Sequence, residues 1–124
     1  MILLFTNKKT FTNHIKYNRT ELIEKKYEDH IKNLKKNNID ISTYIIDTII
    51  RDNIMVMCKN SFPYNIPNTE HYLLWINPKY KISRDTVDAY VAKKVKNKMY
   101  ICFENSSVNK SINSIIHYHI LIRN

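Results

Sequence analysis

The segment SIIHYHILIRN, residues 114–124, decides how the rest of the chain is read. Apolar and β-branched residues from Ile115 to Ile122 favour a strand over a helix. Residues two apart on a strand share a face, so His117, His119 and Leu121 point one way while Ile116, Tyr118, Ile120 and Ile122 point the other. The apolar set suits a core, which leaves two imidazoles in a row on the opposite side.

A closing strand needs partners, and three more apolar runs supply them: NIMVMCKN (53–60), EHYLLWIN (70–77), stopped by Pro78, and MYICFEN (99–105). Between the first two, SFPYNIPNTE (61–70) carries two prolines and several polar turn formers and reads as a loop. SSVNKSIN (106–113) is a polar loop ahead of the closing strand. Upstream, Ile23, Tyr27, Ile31 and Leu34 recur at helical spacing, and Asn18 with Glu21 form a capping pair, so a helix is expected over about 19–36. IDISTYIIDTII (39–50) suits a second short helix capped by Asp40 or Ser42, with a strand as its competitor because isoleucine is β-branched. Val87, Tyr90, Val91 and Val95 mark a third helix, with Ser83 as N-cap and Asp85 in its first turn. Residues 1–17 show no period and read as an extended lead-in. The order helix, helix, strand, strand, helix, strand, strand predicts an α+β domain: a mostly antiparallel sheet with N-terminal helices. No repeat or linker interrupts it, so residues 1–124 are read as a single domain.

At 124 residues the chain can bury a real core. No apolar run approaches the roughly 18 residues of a membrane span, and MILLF at the start is too short for a signal segment, so no membrane partner is expected. Cys58 and Cys102 sit inside apolar runs and form no CxxC, which reads as buried thiols in a reducing, cytoplasmic setting. The formal net charge of +9 suits an anionic partner, nucleic acid included. The basic residues are mostly lysine among many asparagines and isoleucines, a mixture that AT-rich coding also produces. Glycine is absent altogether, which excludes the P-loop and the GxGxxG turn, since both need glycine where backbone meets phosphate. A bound phosphate must then meet side chains, strand edges or a helix N-terminus.

His71 opens the second strand, and if that strand shares a sheet with the closing one it can come near His117 and His119. Three imidazoles suit either a metal site or a covalent site in which one attacks phosphorus while others orient it. No acidic residue lies near His117 or His119 in sequence to act as a base beside a metal, so no metal or cofactor is expected. Asn105, Ser106, Ser107, Ser111, Asn113 and Ser114 flank the closing strand and can donate to phosphate oxygens. Lys79 and Arg123 can add charge at a pocket edge, and Trp75 is either core or a stacking surface for a base or sugar. His30 and His14 read as structural residues.

NTEHYLLW (68–75), followed by YICFENSSVNKSINSIIHYHILIR (100–123), resembles the paired signatures of the N-acetylglucosamine-induced protein family, and RTELIEKKYEDHIKN (19–33) is similar to that family's leading helix. A second resemblance bears on mechanism. DNIMVMCKNSFPY, HYLLWINPKY, a helix, FENSS and HYHILIR run in the order of the core of the histidine-triad (HIT) nucleotide hydrolases and transferases. It implies a HIT-like sheet with His117 as the first triad histidine and His119 as the nucleophile. On that reading His119 attacks phosphorus and His117 orients it, with His71 expected as a third catalytic residue beside them, while Asn105, Ser111 and Ser114 are the candidates to hold phosphate oxygens. Leu121 occupies the third triad position, where leucine cannot hydrogen-bond. Two functions remain open: a nucleotide or nucleotide-sugar hydrolase or transferase acting through a strand histidine, and a non-catalytic binding module for nucleotide, nucleotide sugar or RNA.

Overall fold

The computed structural model describes residues 18–104 and 115–124. Helix α1, Glu21–Lys36, begins at Thr20, whose hydroxyl accepts from the Ile23 N–H at 3.2 Å. Thr20 therefore takes the cap that the sequence suggested for Asn18 with Glu21. Glu21 and Glu24 in its first turn and Lys35 and Lys36 in its last suit the helix dipole. Helix α2, Ile41–Ile45, is capped by Asp40, whose Oδ2 accepts from the Thr43 N–H at 3.1 Å, and it runs on as a π-helical turn over Ile46–Ile50. The strand competitor fails here because the Asp40 cap and the inward packing of Ile45 and Ile50 favour the coil over an extended run. The π geometry had no signal in the residue pattern.

Strands β1 (Met55–Lys59), β2 (Thr69–Ile76), β3 (Tyr100–Phe103) and β4 (His117–Arg123) form one sheet in the order β1-β2-β4-β3, every pair antiparallel. The fold is α+β, as the element order predicts. Helix α3, Arg84–Val95, starts from the Ser83 hydroxyl and packs Val87, Val91 and Val95 on the face carrying Leu74, Ile76, Tyr100, Cys102, Tyr118, Ile120 and Ile122.

The second face differs from the sequence picture. Its histidines do not stand opposite the core, because this side is covered too. Ile45 and Ile50 pack with Trp75 and Ile115, while Tyr64 and Ile66 from the 61–68 loop lie against Ile101, Phe103 and Leu121. One helix layer and one helix-plus-loop layer thus sandwich the sheet. Cys102 is buried, and that burial pushes its thiol up to about 12; Cys58 is only partly buried. Among the described residues no helix is long and apolar enough to cross a membrane.

Lacking glycine, the chain places Asn38, Arg51, Asn68 and Lys96 at positive φ. Asparagine tolerates this region. Arg51 (φ 53°, ψ −126°) and Lys96 (φ 62°, ψ −120°) close α2's π turn and α3 in a conformation that ordinarily selects glycine.

Candidate functional site

The register of β2 against β4 places His71 opposite Leu121, Leu73 opposite His119 and Trp75 opposite His117. Directly opposed residues share a face, so all three histidines lie on the side roofed by the 61–68 loop. They are almost fully buried, with 3 %, 6 % and 5 % exposure for His71, His117 and His119. Burying three imidazoles is expensive unless their nitrogens are satisfied, so their partners define the site.

The Tyr64 backbone N–H donates to His71 Nδ1 at 3.1 Å. An amide is only a donor, so Nδ1 carries the lone pair and the proton of the neutral ring sits on Nε2. His71 Nε2 lies 2.8 Å from His119 Nδ1, which must then accept. The His119 proton is thereby fixed on Nε2, and that atom is buried with no hydrogen-bond partner. His117 is set the other way: its Nδ1 lies 3.0 Å from the Ile115 carbonyl, which can only accept. In the neutral ring the His117 lone pair is consequently on Nε2. One strand face carries, two residues apart, an Nε2–H and an Nε2 lone pair, with ring centres 5.6 Å apart.

Burial and nearby charge keep the His71 and His119 rings neutral. Burial, and after it the Arg19 guanidinium, lowers His71 to about 3. Burial, followed by the neighbouring His71 and His117 and then Arg19, lowers His119 to about 2. His119 is stacked between Tyr64 (5.3 Å) and Phe103 (5.4 Å), each within 16° of parallel. Arg19 is held by the Phe62 carbonyl at 2.8 Å, by Glu24 at 3.3 Å and over the Tyr27 ring at 4.4 Å. Asn60 ties the loop down: its Oδ1 accepts from the Phe62 N–H at 2.9 Å, and its Nδ2 sits 3.4 Å from both His71 ring nitrogens, a contact too divided to be one directional bond.

The three histidines are brought together as the shared-strand reading required; other candidates are not. Trp75 is core, its ring tilted by 31° against His117 at 4.6 Å, in the Ile45, Ile50 and Ile115 cluster. Its indole N–H has no hydrogen-bond partner; the Cys58 thiol is near enough to be affected by it but is not in bonding geometry. Lys79 and Arg123 do not share a pocket edge, because Lys79 follows the Trp75 end of β2 whereas Arg123 pairs with Thr69 at the other end. Asn105, Ser106, Ser107, Ser111, Asn113, Ser114 and His14 lie outside the described residues. His30 packs against the Tyr44 and Phe62 rings, at 5.2 and 5.5 Å.

Sequence reasoning missed Tyr64, Asn60, Phe103 and Arg19. The alternation Phe62, Tyr64, Ile66 inside a proline-bearing loop was the available signal, since irregular chain seldom places apolar residues at every second position without a surface to cover. Among the described residues no group of three His, Cys, Asp or Glu side chains is arranged to hold a metal ion. The reason is visible in the partners: His71 and His119 spend their facing nitrogens on each other. No family model, curated protein or solved structure matches the chain.

Proposed function

We propose that the buried histidine face transfers or hydrolyses the nucleotidyl group of a nucleotide or nucleotide sugar through a strand imidazole. The observation that carries this reading is the pair of opposed tautomers on β4. Attack on phosphorus needs a nitrogen lone pair, and a phosphoryl oxygen needs a donor. His117 offers the first and His119 the second. The tautomers therefore favour the reverse of the roles that the HIT resemblance implies: His117 Nε2 attacks, and His119 Nε2–H holds a phosphoryl oxygen.

The relay behind His119 also restricts the substrate. It ends at the Tyr64 amide, which does not release a proton, so passing one through His71 would leave an imidazolate. His119 is a hydrogen-bond donor and not a proton source. In the first step the His117 N–P bond forms while the P–O bond to the leaving group breaks. That group must depart as a stable anion, which a phosphate does and an alkoxide does not. A pyrophosphate linkage, as in a nucleotide sugar, fits; water then cleaves the N–P bond, its hydroxyl stays on phosphorus and its other proton goes to the departing phosphate or to solvent, so the nucleotide is released and the His117 ring returns to its neutral form.

Incubation with nucleotide sugars, beginning with UDP-N-acetylglucosamine, followed by an alkaline quench and intact mass measurement, tests this. The expected adduct adds one nucleotidyl group, disappears in His117→Ala and forms about 10²-fold more slowly in His119→Ala, the scale for losing one oxyanion donor. A nucleoside monophosphate, lacking a phosphate leaving group, gives none. Binding without adduct for every nucleotide sugar sinks the reading in favour of the non-catalytic module. That second reading has its own support: Leu121, in the third triad position, is fully buried among Ile101, Phe103, Tyr64 and Ile66.

A further inference from the structure

We propose that the basic strip beside α3, on the sheet face away from the histidines, docks an acidic amphipathic helix of a partner protein. Four strands at about 4.8 Å spacing present a face roughly two helices wide, and one helix covers only about 10 Å of it. Helix α3 is drawn toward the β3 edge, where Arg84 Nη2 donates to the Cys102 carbonyl at 2.8 Å and the guanidinium stacks on Tyr118 at 4.7 Å. The β1–β2 side of the same face is left with Met55, Met57 and Tyr72 only partly buried. A cavity of about 380 Å³ opens there, floored by Met57, Tyr72 and Ile122 and rimmed by Lys94, Lys96 and Lys98.

Charge selects the occupant. Glu70 is the one acidic residue lining the cavity; its carboxylate accepts from the Tyr72 hydroxyl at 3.0 Å and lies 3.9 Å from Lys98. Lys94 and Lys96 have no acidic partner among the described residues. Residues 1–17 carry three lysines and no acidic residue, and residues 105–114 carry one lysine and no acidic residue, so the chain's own segments are repelled. A second copy brings a further net charge of +9. A nucleic-acid backbone would meet the lysines but leave the methionine and tyrosine floor uncovered. A helix with one apolar and one acidic face satisfies both, and unbranched methionines adapt readily to such a face.

The probe is a synthetic 18-residue helix with leucine at i, i+3, i+4, i+7 spacing and glutamate elsewhere, compared with the same peptide carrying lysine for glutamate. It is titrated into protein labelled at the methionine methyl groups. The acidic peptide is expected to shift Met55 and Met57 and to leave Met99, which lies outside the cavity, unmoved. Lys94→Glu with Lys96→Glu, both exposed, should weaken binding by about tenfold or more. Equal binding of the two peptides overturns the proposal. So do Met55 and Met57 shifts that follow protein concentration alone, which would mean a second copy, or that follow generic single-stranded RNA and not the peptide.

Discussion

Acidification should unfold this protein earlier than its carboxylates alone would, and the histidine relay sets by how much. His71 is held down to about 3 and His119 to about 2, against an ordinary value of 6.5. Both folded-state values lie below the unfolded ones, so the native state refuses protons that the unfolded chain accepts. The contribution is fully present above pH 6.5 and is lost as pH falls from there toward 3. Each group costs about 1.4 kcal/mol per pH unit in that window. At pH 5 the loss is about 2 kcal/mol for each imidazole, or about 4 kcal/mol together, because both stay neutral in the native state and so do not interact as charges. Against a typical domain stability of about 5–15 kcal/mol this is a large fraction. Urea titrations followed by the fluorescence of Trp75, the single tryptophan, measure it between pH 7 and 5. His119→Phe removes one titrating group while keeping a ring between Tyr64 and Phe103. Its stability should fall less steeply with acid by about 1.4 kcal/mol per unit below pH 6. Parallel curves for wild type and variant would mean that the folded His119 takes up the proton, and the tautomer chain deduced from the Tyr64 amide would be wrong.

Lys96→Gly relieves a conformation that costs a non-glycine residue about 1–3 kcal/mol and gives back about 0.5–1 kcal/mol in chain entropy. Melting should rise by roughly 4 °C, while Lys93→Gly, inside α3, should lower it by a similar amount. Leu121→His puts an imidazole into an apolar cluster opposite a His71 whose ring nitrogens are both engaged, and should cost about 2 kcal/mol or more by chemical denaturation. Arg84→Ala leaves the Cys102 carbonyl on the outer edge of β3 without its guanidinium and uncovers Tyr118, so a stability loss of about 1–2 kcal/mol is expected, together with a greater tendency to associate on light scattering.

The elements were legible because their signals are local. Alternation over residues 117–122, prolines at 63 and 67 and the Ser83 cap each act within a few residues, so the chain alone specifies the closing strand, the loop and the start of α3. Face assignment followed from the strand period, which put His117, His119 and Leu121 together. What was not legible is what covers a face. The π turn and the loop carrying Tyr64 come over this face from other parts of the chain, so the two imidazoles that the strand period puts opposite the first core are themselves interior.

That burial changes the chemistry more than it changes the fold. On an exposed strand, either nitrogen of each ring could take the proton, and the order of histidines in a motif would be the only guide to their roles. Under the loop, one backbone N–H at Tyr64 fixes His71, His71 fixes His119, and one carbonyl at Ile115 fixes His117. Two main-chain groups, neither readable as functional in the sequence, thus decide which imidazole offers a lone pair and which offers a proton. Substituting either histidine tests a side chain; changing the Pro63–Tyr64 segment so that the Tyr64 N–H moves away tests the cause. If that N–H is the determinant, its displacement should free His71 to swap tautomers and should show as altered His119 ring nitrogen shifts, with His117 unaffected.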